Sequence, residues 1–365
     1  MFSFIIWNAS PEIFELGNFA IRWYGLGFAI AFLLGQQIMY KIYAWEGKSK
    51  IEVDNLTVWM VSATVIGARL GHCLFYEPDI YLKDPIRILK IWEGGLASHG
   101  AAIAILGGIW IYSRKFKNQG FLWLLDRLVI TIALAGAFIR LGNLMNSEII
   151  GKPTQSESGF VFVRSVQDNI FNYFDRAQQL LPRPKKISFE KSSAKIEESE
   201  YMPLSLKLHF NKNSADEKKL EEIGEKLIPH ILEGFDEDDH NHVEALKGFK
   251  PLVYDDGKYQ VLEIVVGGVP RHPSQLYESI SCILLMLLLG AIYLKLKENT
   301  PNGLLLGLFM TVCFGLRFLW EYLKENQVAF EDELAFNMGQ ILSIPLVLAG
   351  LGLVIYSLLK NKKQG

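Results

Sequence analysis

Cysteine is scarce in this chain. Its three residues, Cys73, Cys282 and Cys313, each sit inside an apolar run, at spacings that fit neither a disulfide framework nor a metal site. No sign of charge dominates: 37 basic residues face 39 acidic ones for a net charge of −2, which excludes a nucleic-acid partner held by charge. Charged residues make up 21% of the chain, below the roughly one quarter usual in soluble domains. No Gly-X-Y or heptad period runs through it, so collagen-like and coiled-coil architectures are out. What the chain does have is apolar side chains, half of all residues, with a mean hydropathy of +0.19. They gather in runs of roughly 17 to 25, long enough for bilayer spans and unlike the amphipathic spacing of a soluble bundle. The sequence reads as an all-α polytopic membrane protein.

Seven transmembrane helices are predicted, at about 19–43, 54–76, 96–113, 122–146, 274–296, 303–320 and 338–359. At about 1.5 Å per residue each can cross a hydrocarbon core of ~30 Å. A basic n-region and a small-residue cleavage site are missing from the first residues, so no cleaved signal peptide is expected; Phe2, Phe4, Trp7 and Pro11 predict a segment lying at the interface. With the N-terminus outside and the C-terminus cytoplasmic, the inner segments carry Lys41, Lys48, Lys50, Arg114, Lys115, Lys117, Lys295, Lys297, Lys360, Lys362 and Lys363. The outer loop 321–337 is acidic, while Lys83, Arg87 and Lys90 run against the pattern. The balance follows the positive-inside rule.

Residues 152–260 interrupt the helices with about 20 acids and 16 bases and no span-length apolar run. Leu204–Phe210 alternates like a half-buried strand, Lys218–Leu232 has the apolar spacing of a surface helix, and Tyr259–Val266 predicts a second strand. The expected organisation is a membrane domain over 1–151 with helices one to four, a small extracytoplasmic α+β insertion over 152–260, and helices five to seven over 261–365. Asp236–His242 (DEDDHNH) imitates a metal cluster but reads as a solvated acidic loop, and no metal or other cofactor is expected.

Three arginines read as lying deep in predicted spans: Arg69, Arg140 and Arg317. Such a residue costs from about 2.5 to above 10 kcal/mol at a span centre, so each asks for a partner or a function. All three lie 14 or 15 residues past the charged or polar residue that marks the cytoplasmic end of the helix (Asp54, Asp126, Asn302), about 21 Å up in helices running outward. Tyr24, His99, Asn143, Glu148, His272, Gln275, Tyr277, Glu321 and Gln340 collect at the same end. Asn143 stands at i+3 from Arg140 and Glu321 at i+4 from Arg317, on shared helix faces. A lone arginine can snorkel or bind carbonyls; three at one depth beside a histidine and amides predict an anion site. Guanidinium groups grip phosphate by paired hydrogen bonds and do not discharge, and an imidazole exchanges a proton near neutral pH. A cationic clamp beside a general base is equipment for displacing a phosphate-bearing leaving group. The residues alone thus predict an enzyme acting on an anionic outer-leaflet lipid. An outer-leaflet phospholipid transporter or flippase is the alternative, although it needs polar groups through the inner half, which is aliphatic in helices five and seven.

The same residues carry a resemblance. Gly67-Ala-Arg-Leu-Gly71, Glu93-Gly-Gly-Leu-Ala-Ser-His-Gly100, Arg140-Leu-Gly-Asn-Leu-Met-Asn146, Arg271-His-Pro-Ser-Gln-Leu-Tyr-Glu278, Arg317-Phe-Leu-Trp-Glu321 and Met338-Gly-Gln-Ile-Leu-Ser343 occur in order. Together they resemble the bacterial prolipoprotein diacylglyceryl transferases over nearly all of the membrane part. The resemblance implies transfer of the diacylglyceryl group of phosphatidylglycerol to the lipobox cysteine thiol in a prolipoprotein signal peptide, with release of glycerol phosphate, at the bacterial inner membrane. The family's important positions fall on Tyr24, His99, Arg140, Asn143, Glu148, Arg317 and Glu321; catalytic roles are expected of Tyr24, His99, Arg140 and Arg317, with His99 our candidate for the base toward the thiol. Substrate binding falls to Arg140, Asn143, Glu148, Arg317 and Glu321, joined by Arg69, His272, Gln275, Tyr277 and Gln340. Departures from the family pattern are Ala68, Ala101 after Gly100, and Ser147-Glu148-Ile149-Ile150-Gly151 without the usual aromatic. The 152–260 insertion is longer than the resemblance leads one to expect.

Overall fold

The computed structural model describes residues 4–16, 19–90, 94–116, 118–156, 158–177, 180–196, 200–212, 214–234, 242–325, 331 and 334–362. Strands β1 (Ile5–Trp7), β2 (Glu12–Leu16) and β3 (Phe19–Arg22) precede the long helices α1 (Trp23–Trp45) and α2 (Lys50–Phe75). A short α3 (Pro78–Tyr81) leads to α4 (Ser98–Lys115) and α5 (Phe121–Met145). Then come β4 (Phe160–Phe162), α6 (Arg164–Arg176), β5 (Lys186–Lys191), β6 (Met202–Phe210), α7 (Glu217–Glu222) and α8 (Ile228–Glu233). Strands β7 (Val243–Ala245), β8 (Leu252–Asp255) and β9 (Gln260–Gly268) follow, and α9 (Ser274–Leu296), α10 (Leu304–Trp320) and α11 (Met338–Lys362) complete the chain.

Six helices, not seven, are long and apolar enough among the described residues to cross a membrane: α1, α2, α5, α9, α10 and α11, with apolar stretches carried on 20 to 26 residues. The predicted third span, α4, falls short because its ends are polar: Ser98 and His99 open it, Arg114 and Lys115 close it, and three glycines dilute the middle. Large apolar side chains such as Leu33, Val58, Ile66, Leu284 and Leu348 stay exposed along the helices, as a lipid-facing surface requires. This is a multi-pass membrane architecture with a small sheet region.

The chain divides into two compact units: one of residues 1–25, 140–277 and 322–333, the other of 26–139, 278–321 and 334–365. The first holds the sheet, in the order β5-β6-β9-β7, with β8 and β7 taking successive stretches of one β9 edge. β6 and β9 pair antiparallel from Met202↔Gly268 to Phe210↔Gln260. The period-two pattern of β6 sends Leu204, Leu206, Leu208 and Phe210 into a core closed by Ile170 and Phe174 of α6 and by Leu220 and Ile231. The helix predicted at 218–232 is present, with one π-turn at Ile223–Leu227 joining α7 to α8. The second predicted strand is β9, and it runs to Gly268, beyond the expected edge of the insertion.

The N-terminus corrects one expectation. Phe4 is 1% exposed in the core of the sheet lobe instead of lying at an interface, and β1 pairs in parallel with β4, Ile5 opposite Phe160. The pairing is non-local, so periodicity gives no warning of it. Phe2 lies outside the described residues, as do 236–241 of the acidic run; His242 is buried.

In the second unit α2 packs on α4 through glycines. A Cβ on Gly67 would stand 2.6 Å from the Gly100 carbonyl oxygen, and one on Gly71 would stand 2.7 Å from the Gly100 Cα. Backbones meet there with no room for a side chain. Asp126 of α5 caps α10, accepting from the backbone N–H of Gly303 at 2.6 Å and of Leu306 at 2.8 Å, which satisfies donors a helix start leaves open.

Candidate active site

In the first unit the site is built around a turn that follows α5. Ser147 (φ 53°) and Ile149 (φ 57°) both occupy the left-handed region, which is costly for a β-branched residue. Between them stands Glu148. Its Oε1 accepts from Asn143 Nδ2 at 2.6 Å and from Asn146 Nδ2 at 3.2 Å. Asn143 Oδ1 in turn accepts from Arg140 Nη1 at 3.3 Å, which realises the i+3 face read from the sequence. Arg140, Asn143 and Glu148 therefore form one hydrogen-bonded chain. Tyr24 opens α1 within electrostatic reach of Arg140 and Glu148, against Gly142, where a Cβ would stand 2.7 Å from the tyrosine ring.

The segment 271–275 holds that strained turn from behind. Arg271 Nη1 donates to Gly151 O (3.3 Å) and pairs with Glu325 (2.7 Å), Ser274 Oγ donates to Ile149 O (2.8 Å), and Gln275 Nε2 donates to Glu148 O (2.6 Å). Gln275 is fully buried, so its place is under the turn. His272 Nδ1 and Tyr277 OH lie 3.3 Å apart, and burial pushes the His272 imidazole below the ordinary histidine range, which keeps it neutral at pH 7. Ser274 and Arg271 escaped the site prediction, because a side chain that binds a backbone carbonyl leaves no compositional signal beyond the polar string itself. Gln275→Met should lower activity about tenfold by letting Glu148 drift, with little change in the melting temperature of purified protein. A wild-type rate in that variant would show that the turn holds itself.

Arg317, Glu321, Gln340, His99 and Arg69 lie in the second unit. Arg317 keeps 41% of its side chain exposed, and its ion-pair partner among the described residues is the buried Glu321, Nε to Oε1 at 3.5 Å. Asn337 Nδ2 donates to the other carboxylate oxygen at 3.3 Å. Asn337 and Gln340 also cap α11 reciprocally: Gln340 N–H donates to Asn337 Oδ1 (2.9 Å) and Asn337 N–H to Gln340 Oε1 (3.2 Å). Gln340 Nε2 donates to Phe318 O at 3.3 Å, so its amide is committed at both ends. The Asn-x-x-Gln spacing is a cap signal visible in the sequence. His99, second residue of α4, is exposed and has no side-chain partner among the described residues. Arg69, in contrast, is buried and bound to backbone carbonyls. The three arginines thus divide into one linked to an amide and a carboxylate, one open to its surroundings, and one enclosed. No group of three or more metal-ligating side chains occurs among the described residues.

The family model described as prolipoprotein diacylglyceryl transferase matches residues 11–356. The chain belongs to that family. A phosphatidylglycerol–prolipoprotein diacylglyceryl transferase of Tolumonas auensis is 35% identical over 353 residues, 97% of each chain. One from Chloroherpeton thalassium is 34% identical over 97% of this chain and 95% of its own, and one from Porphyromonas gingivalis 32% over 97% and 94%. These transferases match nearly end to end, so segment 152–260 has a counterpart of similar length in them. Relative to these transferases it is not an added insertion.

Proposed function

We propose that the chain is a phosphatidylglycerol–prolipoprotein diacylglyceryl transferase, forming a thioether on the lipobox cysteine of a prolipoprotein and releasing glycerol phosphate. The observation that carries this reading is the Arg140–Asn143–Glu148 chain on a strained, braced turn, in a protein of this family. In the reaction the thiol sulfur attacks the glyceryl carbon, the carbon–oxygen bond to phosphate breaks, and the bond pair leaves with glycerol phosphate. Arg140 and Arg317 bind that phosphate and stabilise its charge as it leaves. His99 accepts the thiol proton; a free thiol has a pKa near 8.5, and a positioned base is worth about 10²–10⁴ in rate.

Tyr24 orients the headgroup or thiol. Asn143 does so with it, and Glu148 and Glu321 aim their arginines. His272 and Tyr277 face the lipid headgroup as a pair. Gln275 and Gln340 act in support, one under the Glu148 turn and one in the α11 cap. In the membrane α4 serves as the seventh, shorter crossing beside α2. The N-terminus lies outside the inner membrane and the C-terminus inside, with the site toward the outer leaflet and the 152–260 lobe extracytoplasmic, where it shapes access for the exported peptide. A transport reading draws no support from the relatives, whose names describe transfer. The test is stoichiometry: with phosphatidylglycerol micelles and a lipobox peptide, one glycerol phosphate should appear per thioether formed, and His99→Ala should slow both together. Lipid exchange without either product would favour the transporter.

A further inference from the structure

Arg69 stood among the residues expected to bind substrate, yet its hydrogen bonds are spent inside the protein. A guanidinium carries five N–H donors. Here Nε donates to Ile88 O at 2.9 Å, Nη2 to Arg87 O at 2.6 Å and Lys90 O at 3.1 Å, and Nη1 to Gly95 O at 3.3 Å and to Gly94 O. All five are taken by carbonyls, none is left for a phosphate, and the residue is 3% exposed. Its guanidinium carbon lies 4.9 Å from the Tyr81 ring centroid, which covers one face.

The accepting carbonyls belong to the connector that follows α3 and delivers the chain to α4. Gly94 (φ +86°) and Gly95 (φ +76°) turn that connector back toward α2. His72, one helical turn beyond Arg69, packs against Gly95, and Ala97 N–H donates to Ala68 O at 2.9 Å. Two residues later comes His99, on an α4 whose next residue, Gly100, is already pressed on Gly67 and Gly71. The buried arginine therefore fixes the stretch of backbone from which the exposed histidine projects.

We infer that Arg69 is a positioning residue: its clasp on the five carbonyls of Arg87, Ile88, Lys90, Gly94 and Gly95 sets the aim of His99 at the thiol and makes no contact with the lipid phosphate. The inference rests on the base role proposed for His99. A misplacement of about 1 Å in a reacting group can cost on the order of 10²-fold in rate. Lysine has three donors on one atom and cannot serve five carbonyls spread along the connector.

The experiment uses full-length protein in phosphatidylglycerol micelles with a lipobox peptide, comparing wild type, Arg69→Lys, His99→Ala and the double variant. The expected result is a 10- to 100-fold fall in kcat for Arg69→Lys with KM for phosphatidylglycerol within about twofold, on the scale of that misplacement cost. The double variant should be no slower than His99→Ala, because both act through one group. A raised KM at unchanged kcat, or losses that multiply in the double variant while His99→Ala is itself slow, would overturn the positioning role alone. A wild-type rate in His99→Ala would overturn the base role, and the inference with it. Should Arg69→Lys fail to fold, Gly95→Ala decides: it strains the connector from the other side, at φ +76° and against His72, with the arginine intact. The same kcat loss and the same non-additivity with His99→Ala are expected, and an unchanged kcat would count against the inference.

Discussion

Arg140→Gln is expected to lower kcat/KM for lipidation by on the order of 10²–10³, the loss typical of removing one preorganised donor from developing charge. That corresponds to about 3–4 kcal/mol of transition-state stabilisation. Glutamine keeps an N–H donor for Asn143, so the turn that carries Glu148 should hold its shape while the fixed positive charge disappears. The effect should fall mainly on kcat, because charge builds on the phosphate oxygen as the carbon–oxygen bond breaks. Steady-state kinetics beside a thermal melt check this: turnover should collapse while the melting temperature moves little. A variant that melts early but turns over normally at low temperature would make Arg140 a structural residue.

Arg127→Met is expected to cost stability, on the order of 3–5 kcal/mol, with transfer by the surviving folded protein unchanged. Arg127 is fully buried and pairs through Nη2 with Glu46 Oε1 at 2.9 Å. The same carboxylate accepts from Tyr293 OH at 2.7 Å and from Trp123 Nε1 at 2.9 Å, and the guanidinium lies 4.7 Å from the Trp123 ring and 5.7 Å from that of Tyr293. Removing the arginine strands a nearly enclosed carboxylate, which is the costly way to break such a pair. Removing both charges, as in Arg127→Met with Glu46→Met, should recover most of the loss, since a buried pair often does no better than an apolar replacement. Unfolding in detergent followed for wild type, single and double variants tests this, and a single variant as stable as wild type would contradict it.

The helices and most of the polar residues near them were legible in the sequence, because an apolar run of span length fits a bilayer better than a soluble core, and a charge inside one is too costly to be incidental. The strand of alternating leucines, 204–210, was legible from its period of two, which sends every second side chain to one face. Four features were not. α4 lacks the apolar length of the other spans because Ser98, His99, Arg114 and Lys115 are polar, and an apolar run read between them passes over its ends. Phe4 and Trp7 read as interfacial because aromatics near a span usually are; Phe4 packs in the lobe and Trp7 Nε1 donates to Leu144 O at 2.9 Å. The Glu46–Arg127 pair joins residues 81 apart, which no local pattern connects. Arg69 could not be told from Arg140 or Arg317 by depth, because what separates them is the number of carbonyls a folded connector brings to the guanidinium.

The measurement that bears most directly on the central claim is the mass of a lipobox peptide after incubation with the purified protein in phosphatidylglycerol micelles. The account predicts a diacylglyceryl adduct on the cysteine sulfur, formed by wild type and lost in Arg140→Ala and Arg317→Ala. A well-folded wild type that binds the lipid and leaves the peptide mass unchanged would contradict it.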